Sequence, residues 1–192
     1  MQLVFATNNQ NKVKEVQALV PAHIKLLNLK DINCTEEIPE TTGTIEGNAK
    51  QKADYIKTHY GYDCFADDTG LEVDALNGAP GVDTAYYAGP ERNANANMTK
   101  LLKALEDKPS RTAQFKTVIA LHLNGDYYEF TGICRGEITT ARQGSDGFGY
   151  DPIFKAEGHE NTFAQISLED KNKIGHRGKA VQKLIAFLNN PS

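Results

Sequence analysis

The sequence predicts a mixed α/β fold, a central sheet flanked by helices with a smaller β-rich lobe. Three observations carry this. Short apolar runs and helical-period segments alternate in the order βαβαβ over residues 1–73, two long β-type runs at 113–123 and 127–138 flank Asn124-Gly125, and a helical face closes the chain.

Taken in order, Leu3-Val4-Phe5-Ala6 reads as a strand, and Val13, Val16, Leu19 and Val20 recur at helical spacing until Pro21 stops them. Ile24 to Leu29 reads as a second strand. Ile45, Ala49, Ala53, Ile56 and Tyr60 form a helical face ended by Gly61. Cys64-Phe65-Ala66 is a buried strand that brings Asp67-Asp68 to its end, with Leu71-Glu72-Val73 left open as a continuation. Residues 77–92 contain five Gly or Pro residues and hold no long regular element. Met98, Leu101, Leu102 and Leu105 supply a third helix before Pro109. Asn-Gly is a strong hairpin signal, and residues 110–140 are expected to project as the smaller lobe. A glycine-rich loop, 144–152, precedes a polar segment and a last helix with Ala180, Val181, Leu184, Ile185 and Leu188 inward.

The chain has 192 residues, 40% apolar and 24% charged, with a net charge of −4. These values fit one soluble globular domain spanning 1–192. A chain of this size buries roughly two-thirds of its unfolded surface, so it needs no structural metal or disulfide. No apolar run approaches the ~20 residues of a membrane span, and no basic region precedes the first hydrophobic one, so neither membrane nor targeting segment is expected. Cys34, Cys64 and Cys134 lie far apart without a Cys-x-x-Cys, which argues against a disulfide framework or thiolate zinc site and for a reducing, cytoplasmic location. An acidic balance gives no general attraction to nucleic acid, so any phosphate recognition must be local.

Four segments could carry chemistry. Thr7-Asn8-Asn9-Gln10-Asn11-Lys12 joins the first strand to the first helix, where backbone N–H groups, the helix dipole and Lys12 favour phosphates. The same residues also fit a plain Asn cap. It is not a P-loop, since Gly-x-x-x-x-Gly-Lys-Ser/Thr is absent. Asp67-Asp68 offers two carboxylates that alternate in direction, one for a cleft and one for anchoring, and such hard oxygens beside phosphates suit Mg²⁺. An Asp-rich turn relieved by Gly70 is the structural alternative. Gly147-Phe148-Gly149-Tyr150-Asp151 combines close backbone approach with rings that stack on a nucleobase, or else forms a tight turn with Phe148 in the core. His176-Arg177-Gly178-Lys179 heads the last helix, with Lys171 and Lys173 before it. Basic residues there oppose the helix dipole, which points to a nearby anion, a solvated basic face being the alternative.

Together these segments resemble the inosine triphosphate pyrophosphatase family, which hydrolyses ITP, dITP and XTP to monophosphate and pyrophosphate and so clears them from the nucleotide pool. The resemblance spans nearly the whole chain. Its carriers are Phe5-Ala6-Thr7-Asn8-Asn9 with Lys12, Pro39-Glu40, Asn48-Ala49, Ala66-Asp67-Asp68-Thr69-Gly70-Leu71, Gly78-Ala79-Pro80-Gly81, residues 147–154, and Lys171 with His176-Arg177-Gly178. It implies that Thr7, Asn8, Asn9, Gln10, Asn11 and Lys12 hold the triphosphate and that Asp68 is the metal-linked catalytic carboxylate. Thr69 would touch substrate, Phe148, Gly149, Tyr150 and Asp151 with His176 and Arg177 would hold the base, and Lys171 would contact the nucleotide. The expected molecule is an elongated homodimer subunit with an active-site cleft between lobes.

Two positions depart from the family pattern. Asn8 stands where a Gly is usual, and Asn tolerates left-handed backbone best of the non-glycine residues. Gly47 stands where many relatives carry Glu, which leaves Glu40 or Glu46 as the second metal-side carboxylate, with Glu40 favoured because it matches a family position. The implied reaction is attack of water on the α-phosphorus, with Asp68 holding Mg²⁺ and directing the water, and an alkaline optimum. Preference for a 6-keto purine needs donors at the base, for which Arg177, His176 and backbone N–H groups are suited. Alternatives are a pyrophosphatase for another modified nucleotide and a non-catalytic nucleotide-binding module.

Overall fold

A computed structural model describes residues 1–190. It contains strands β1 (Gln2–Phe5), β2 (Lys25–Leu27), β3 (Cys64–Val73), β4 (Pro80–Gly81), β5 (Thr112–Leu123), β6 (Asp126–Ile138) and β7 (Phe154–Ala156). The helices are α1 (Gln10–Gln17), α2 (Ile45–Tyr60), α3 (Ala94–Ala104), α4 (Leu168–Ile174) and α5 (His176–Asn189). The strand order is β2-β1-β3-β5-β6-β7, with β4 on β3; β1 runs parallel to β2 and β3, and β7 antiparallel to β6. The mixed α/β reading is thus met.

The chain divides into two compact units, residues 1–68, 117–132 and 177 onward in one, and 69–116 with 133–176 in the other. In the first, period-2 alternation sorts the strands into two faces. Val4, Ala6, Cys64, Ala66, Val118 and Ala120 pack against Ile45, Ala49, Ala53 and Ile56 of α2. Leu3, Phe5, Phe65, Ile119, Leu121 and Leu123 take the other face, against Val16 of α1 and Ala180, Val181, Leu184 and Leu188 of α5. Small residues thus meet the alanine-rich α2, while larger ones, including the stacked Phe5 and Phe65 at 4.6 Å, meet the other layer. The second unit closes over Leu71, Val73, Met98, Leu101, Phe115, Ile138, Phe154 and Phe163.

Two expectations change. The hairpin turns at Asn124-Gly125, both at positive φ, but residues 110–140 do not form a lobe of their own. Residues 117–132 belong to the first unit, because this stretch of β5 is apolar on both faces and is buried by helices on each. Likewise Asp67-Asp68 is not at a strand end. β3 runs through the pair to Val73, which a buried strand tolerates only where cations answer the carboxylates. The sequence reading also passed over β7 and α4, both short and polar in part.

Candidate active site

In the first unit the β1-to-α1 loop is ordered by its own side chains. Asn9 caps α1, its Oδ1 accepting from the backbone N–H of Asn11 and Lys12 at 3.0 and 3.3 Å, while Thr7 Oγ1 accepts from Asn9 N at 3.1 Å. The Asn cap is thus present, and Lys12 in the first turn of the same helix reaches Asp67 on β3. Asn8 is not among the residues at positive φ, so its replacement of the usual Gly needs no left-handed tolerance.

Lys12 Nζ donates to Asp67 Oδ1 at 3.0 Å, and Arg177 Nε donates to Asp67 Oδ2 at 3.1 Å. Arg177 Nη1 also donates to Glu15. The anion implied by the basic head of α5 is thus partly supplied by the protein. Burial alone would raise the Asp67 carboxyl, but Lys12, Arg177 and Lys52 overcome it and hold the group well below the usual range. Asp68, 8% exposed, shifts the other way: burial raises it, with Glu40 and Asp67 adding to the rise against Lys52 and Lys12. The two aspartates are thus distinguished by charge environment, their carboxyls shifted in opposite directions.

Lys52, not singled out by its sequence context, is buried beside the same carboxylates. Its Nζ lies 2.5 Å from Glu40 Oε1, and although burial lowers its pKa, Asp68, Glu40 and Asp67 raise it further. The signal was present in α2, where a lysine interrupts the buried helical stripe of Ile45, Ala49, Ala53 and Ile56. The Glu40 charge is among those acting on Asp68, which places Glu40 beside that carboxylate. Gly47 has a steric cause. A Cβ there would sit 2.3 Å from Thr42 Oγ1 and 2.6 Å from Thr44 Oγ1, and Thr42 folds back to donate to Asn48 Oδ1 at 2.9 Å. This turn leads directly from Glu40 into α2.

In the second unit the glycine-rich loop, α4 and His176 come together. Asp151 Oδ2 accepts from Phe148 N at 2.9 Å and from Lys171 Nζ at 2.6 Å, and Lys171 lies over the Phe148 ring at 4.7 Å. Phe163, unmarked in the sequence, flanks the same ammonium at 5.6 Å. His176 stacks on Phe115 with ring centroids 4.5 Å apart. Tyr150 belongs to the apolar core and donates its hydroxyl to Thr84 O at 2.7 Å, so what it offers a ligand is backbone. At Gly147, φ is +74° and a Cβ would lie 2.1 Å from Asp151 Oδ2. Gly147→Ala is expected to displace Asp151 and Lys171 and to destabilise by about 2 kcal/mol, read as a lower midpoint of thermal unfolding; an unchanged midpoint would show that the loop yields.

A model of the Ham1 family matches residues 3–187. This chain belongs to the Ham1 family. A protein of Flavobacterium johnsoniae named dITP/XTP pyrophosphatase is 64% identical over 188 residues, covering 98% of each chain, and one of the same name from Flavobacterium psychrophilum is 60% identical over 190 residues, covering 99% of this chain and all of that one. The Ham1 protein of Staphylococcus aureus superposes with a TM-score of 0.91 at 37% identity over the full length of both chains. A Ham1 protein of Coxiella burnetii gives the same TM-score and identity over 98% of each. The family match spans both units, and so takes in the Asp67-Lys12-Arg177 cluster and the Phe148-Asp151-Lys171 cluster alike. Among the described residues no helix is long and apolar enough to cross a membrane.

Proposed function

We infer that this Ham1-family chain hydrolyses non-canonical purine nucleoside triphosphates, ITP, dITP and XTP, to the monophosphate and pyrophosphate. The observation that carries the inference is the convergence of Lys12, Lys52, Asp67, Asp68 and Glu40 in a chain so close to proteins named dITP/XTP pyrophosphatases. Two ammonium groups there can meet phosphate oxygens, while of the two aspartates Asp67 is answered by Lys12 and Arg177 and Asp68 is assigned to the chemistry.

The donor set fits Mg²⁺. Asp68 and Glu40 are hard oxygen donors whose negative charge is concentrated enough to raise Lys52 against its burial. Such oxygens beside ammonium groups that can meet phosphate suit a cation held by one or two carboxylates together with substrate phosphates and water. Bound Mg²⁺ neutralises phosphate charge and acidifies water. Asp68 orients the attacking water toward the α-phosphorus and takes its proton, and Lys12 with the Thr7 to Asn11 loop holds the triphosphate against the charge that develops as pyrophosphate leaves. Thr69 continues the strand from Asp68 to the substrate.

Base recognition falls to the loop 148–151, Lys171, His176 and Arg177. Phe148 offers a ring for stacking, Gly149 an open backbone with nothing near its missing Cβ, and His176 an imidazole fixed by stacking. Arg177, next to His176 at the head of α5, serves the 6-keto oxygen with its N–H donors. The protein acts as a homodimer in the cytoplasm under this reading.

The test is side-by-side hydrolysis of ITP, XTP, dITP, GTP and ATP with and without Mg²⁺, with pyrophosphate and orthophosphate both measured. Pyrophosphate release from ITP, XTP and dITP well above that from ATP is expected, and only with the metal. Orthophosphate as the product, or equal rates for ATP, would overturn the assignment.

A further inference from the structure

We propose that Glu15 and Arg177 are positioning residues for Lys12, acting through Asp67. The proposal rests on the reading that Lys12 meets the triphosphate. Glu15, Arg177, Asp67 and Lys12 form a chain of alternating charge, Arg177 giving Nη1 to Glu15 and Nε to Asp67 Oδ2, and Asp67 Oδ1 receiving Lys12 Nζ at 3.0 Å. Three of the four side chains are 5% exposed or less, and Lys12 is the most open at 13%. The most accessible end of the chain is therefore the Lys12 ammonium.

Its topology closes the arrangement. Lys12 and Glu15 lie three residues apart on α1 and so share a face, while Arg177 enters from α5 and Asp67 from β3. A lysine stem has four rotatable bonds, and its ammonium is costly to fix on a ligand unless something already holds it. Asp67 does so with its second oxygen fixed by the planar guanidinium of Arg177, whose other side is answered by Glu15. Without the Glu15 charge, more of the Arg177 charge bears on Asp67, in competition with Lys12 for the same carboxylate. Burial already lowers the Lys12 pKa and the Arg177 charge lowers it further, with Asp67 and Asp68 opposing.

The experiment is a double-mutant cycle on the full chain, with inorganic tripolyphosphate as the calorimetric probe and KM and kcat for ITP beside it. Glu15→Gln is expected to weaken tripolyphosphate binding by roughly tenfold and to raise KM more than it lowers kcat. Lys12→Met should weaken binding on its own, and adding Glu15→Gln to it should cost nothing more. An equal loss from Glu15→Gln with and without Lys12 would show that Glu15 acts elsewhere and would overturn the proposal. Unchanged binding by Glu15→Gln when Lys12→Met binds weakly overturns it too, while leaving the phosphate role of Lys12 intact. Unchanged binding by Lys12→Met removes that phosphate role and the proposal with it. If Glu15→Gln does not fold, Glu15→Asp carries the same cycle, with a smaller loss expected that disappears in the Lys12→Met background.

Discussion

Asp68→Asn is expected to lower kcat for ITP by about a thousandfold or more while leaving the midpoint of thermal unfolding unchanged or raised. The amide matches the carboxylate in shape but neither binds a cation strongly nor accepts a proton from water. The stability half follows from the direction of the pKa shift. Burial raises the Asp68 carboxyl above its ordinary value, so the folded protein favours the protonated form. A carboxyl raised on folding contributes stability below its unfolded pKa and loses that contribution as pH rises through the folded value. At neutral pH the ionised group is a cost to the fold, and a neutral amide removes it. Steady-state kinetics at saturating Mg²⁺ together with thermal unfolding at pH 7 check both halves. A variant that keeps near-normal turnover would dismiss Asp68 as the catalytic carboxylate, and one that unfolds several degrees lower would dismiss the account of its burial.

How far the site can be read from the chain depends on whether a residue signals its role locally. The α2 span and the Asn124-Gly125 turn are legible because apolar period and turn chemistry are local properties. Lys12, Asp68 and the Phe148 loop stand out as candidates because they sit in distinctive short segments. Glu15 and Lys52 are not, since a glutamate and a lysine on helices ordinarily face solvent; their burial depends on Arg177 and Glu40, 162 and 12 residues away. Phe115 and Phe163 look like core residues and are core residues, and only the fold sets them against His176 and Lys171. The strand end expected at Asp67 fails for the same reason. A pair of aspartates breaks a strand unless distant cations compensate it, and the cations are invisible in a local reading.

Asp67→Asn should do the reverse of Asp68→Asn. Asp67, 1% exposed, holds Lys12 through one oxygen and Arg177 through the other, and an amide can accept from only one of them while presenting its NH₂ to the second cation. Removing one partner of a buried ion pair leaves uncompensated charge and costs about 3 to 5 kcal/mol, which for a chain of this length lowers the unfolding midpoint by roughly 6 to 20 °C. Glu15 remains on Arg177, so Lys12 carries the larger share of the loss and triphosphate affinity falls with stability. The pH dependence gives the signature. The Asp67 carboxyl is held well below its ordinary value by Lys12, Arg177 and Lys52 against burial, so its stabilisation is present above the unfolded pKa of ~3.9 and is lost as pH falls toward the folded value. The gap in stability between the protein and Asp67→Asn should therefore hold constant from neutral pH down to about 4 and narrow below it. Denaturant unfolding at pH 7, 5, 4 and 3 measures that gap. A gap that widens in acid, or an Asp67→Asn variant as stable as the parent at pH 7, would show that Asp67 is not the structural member of the pair.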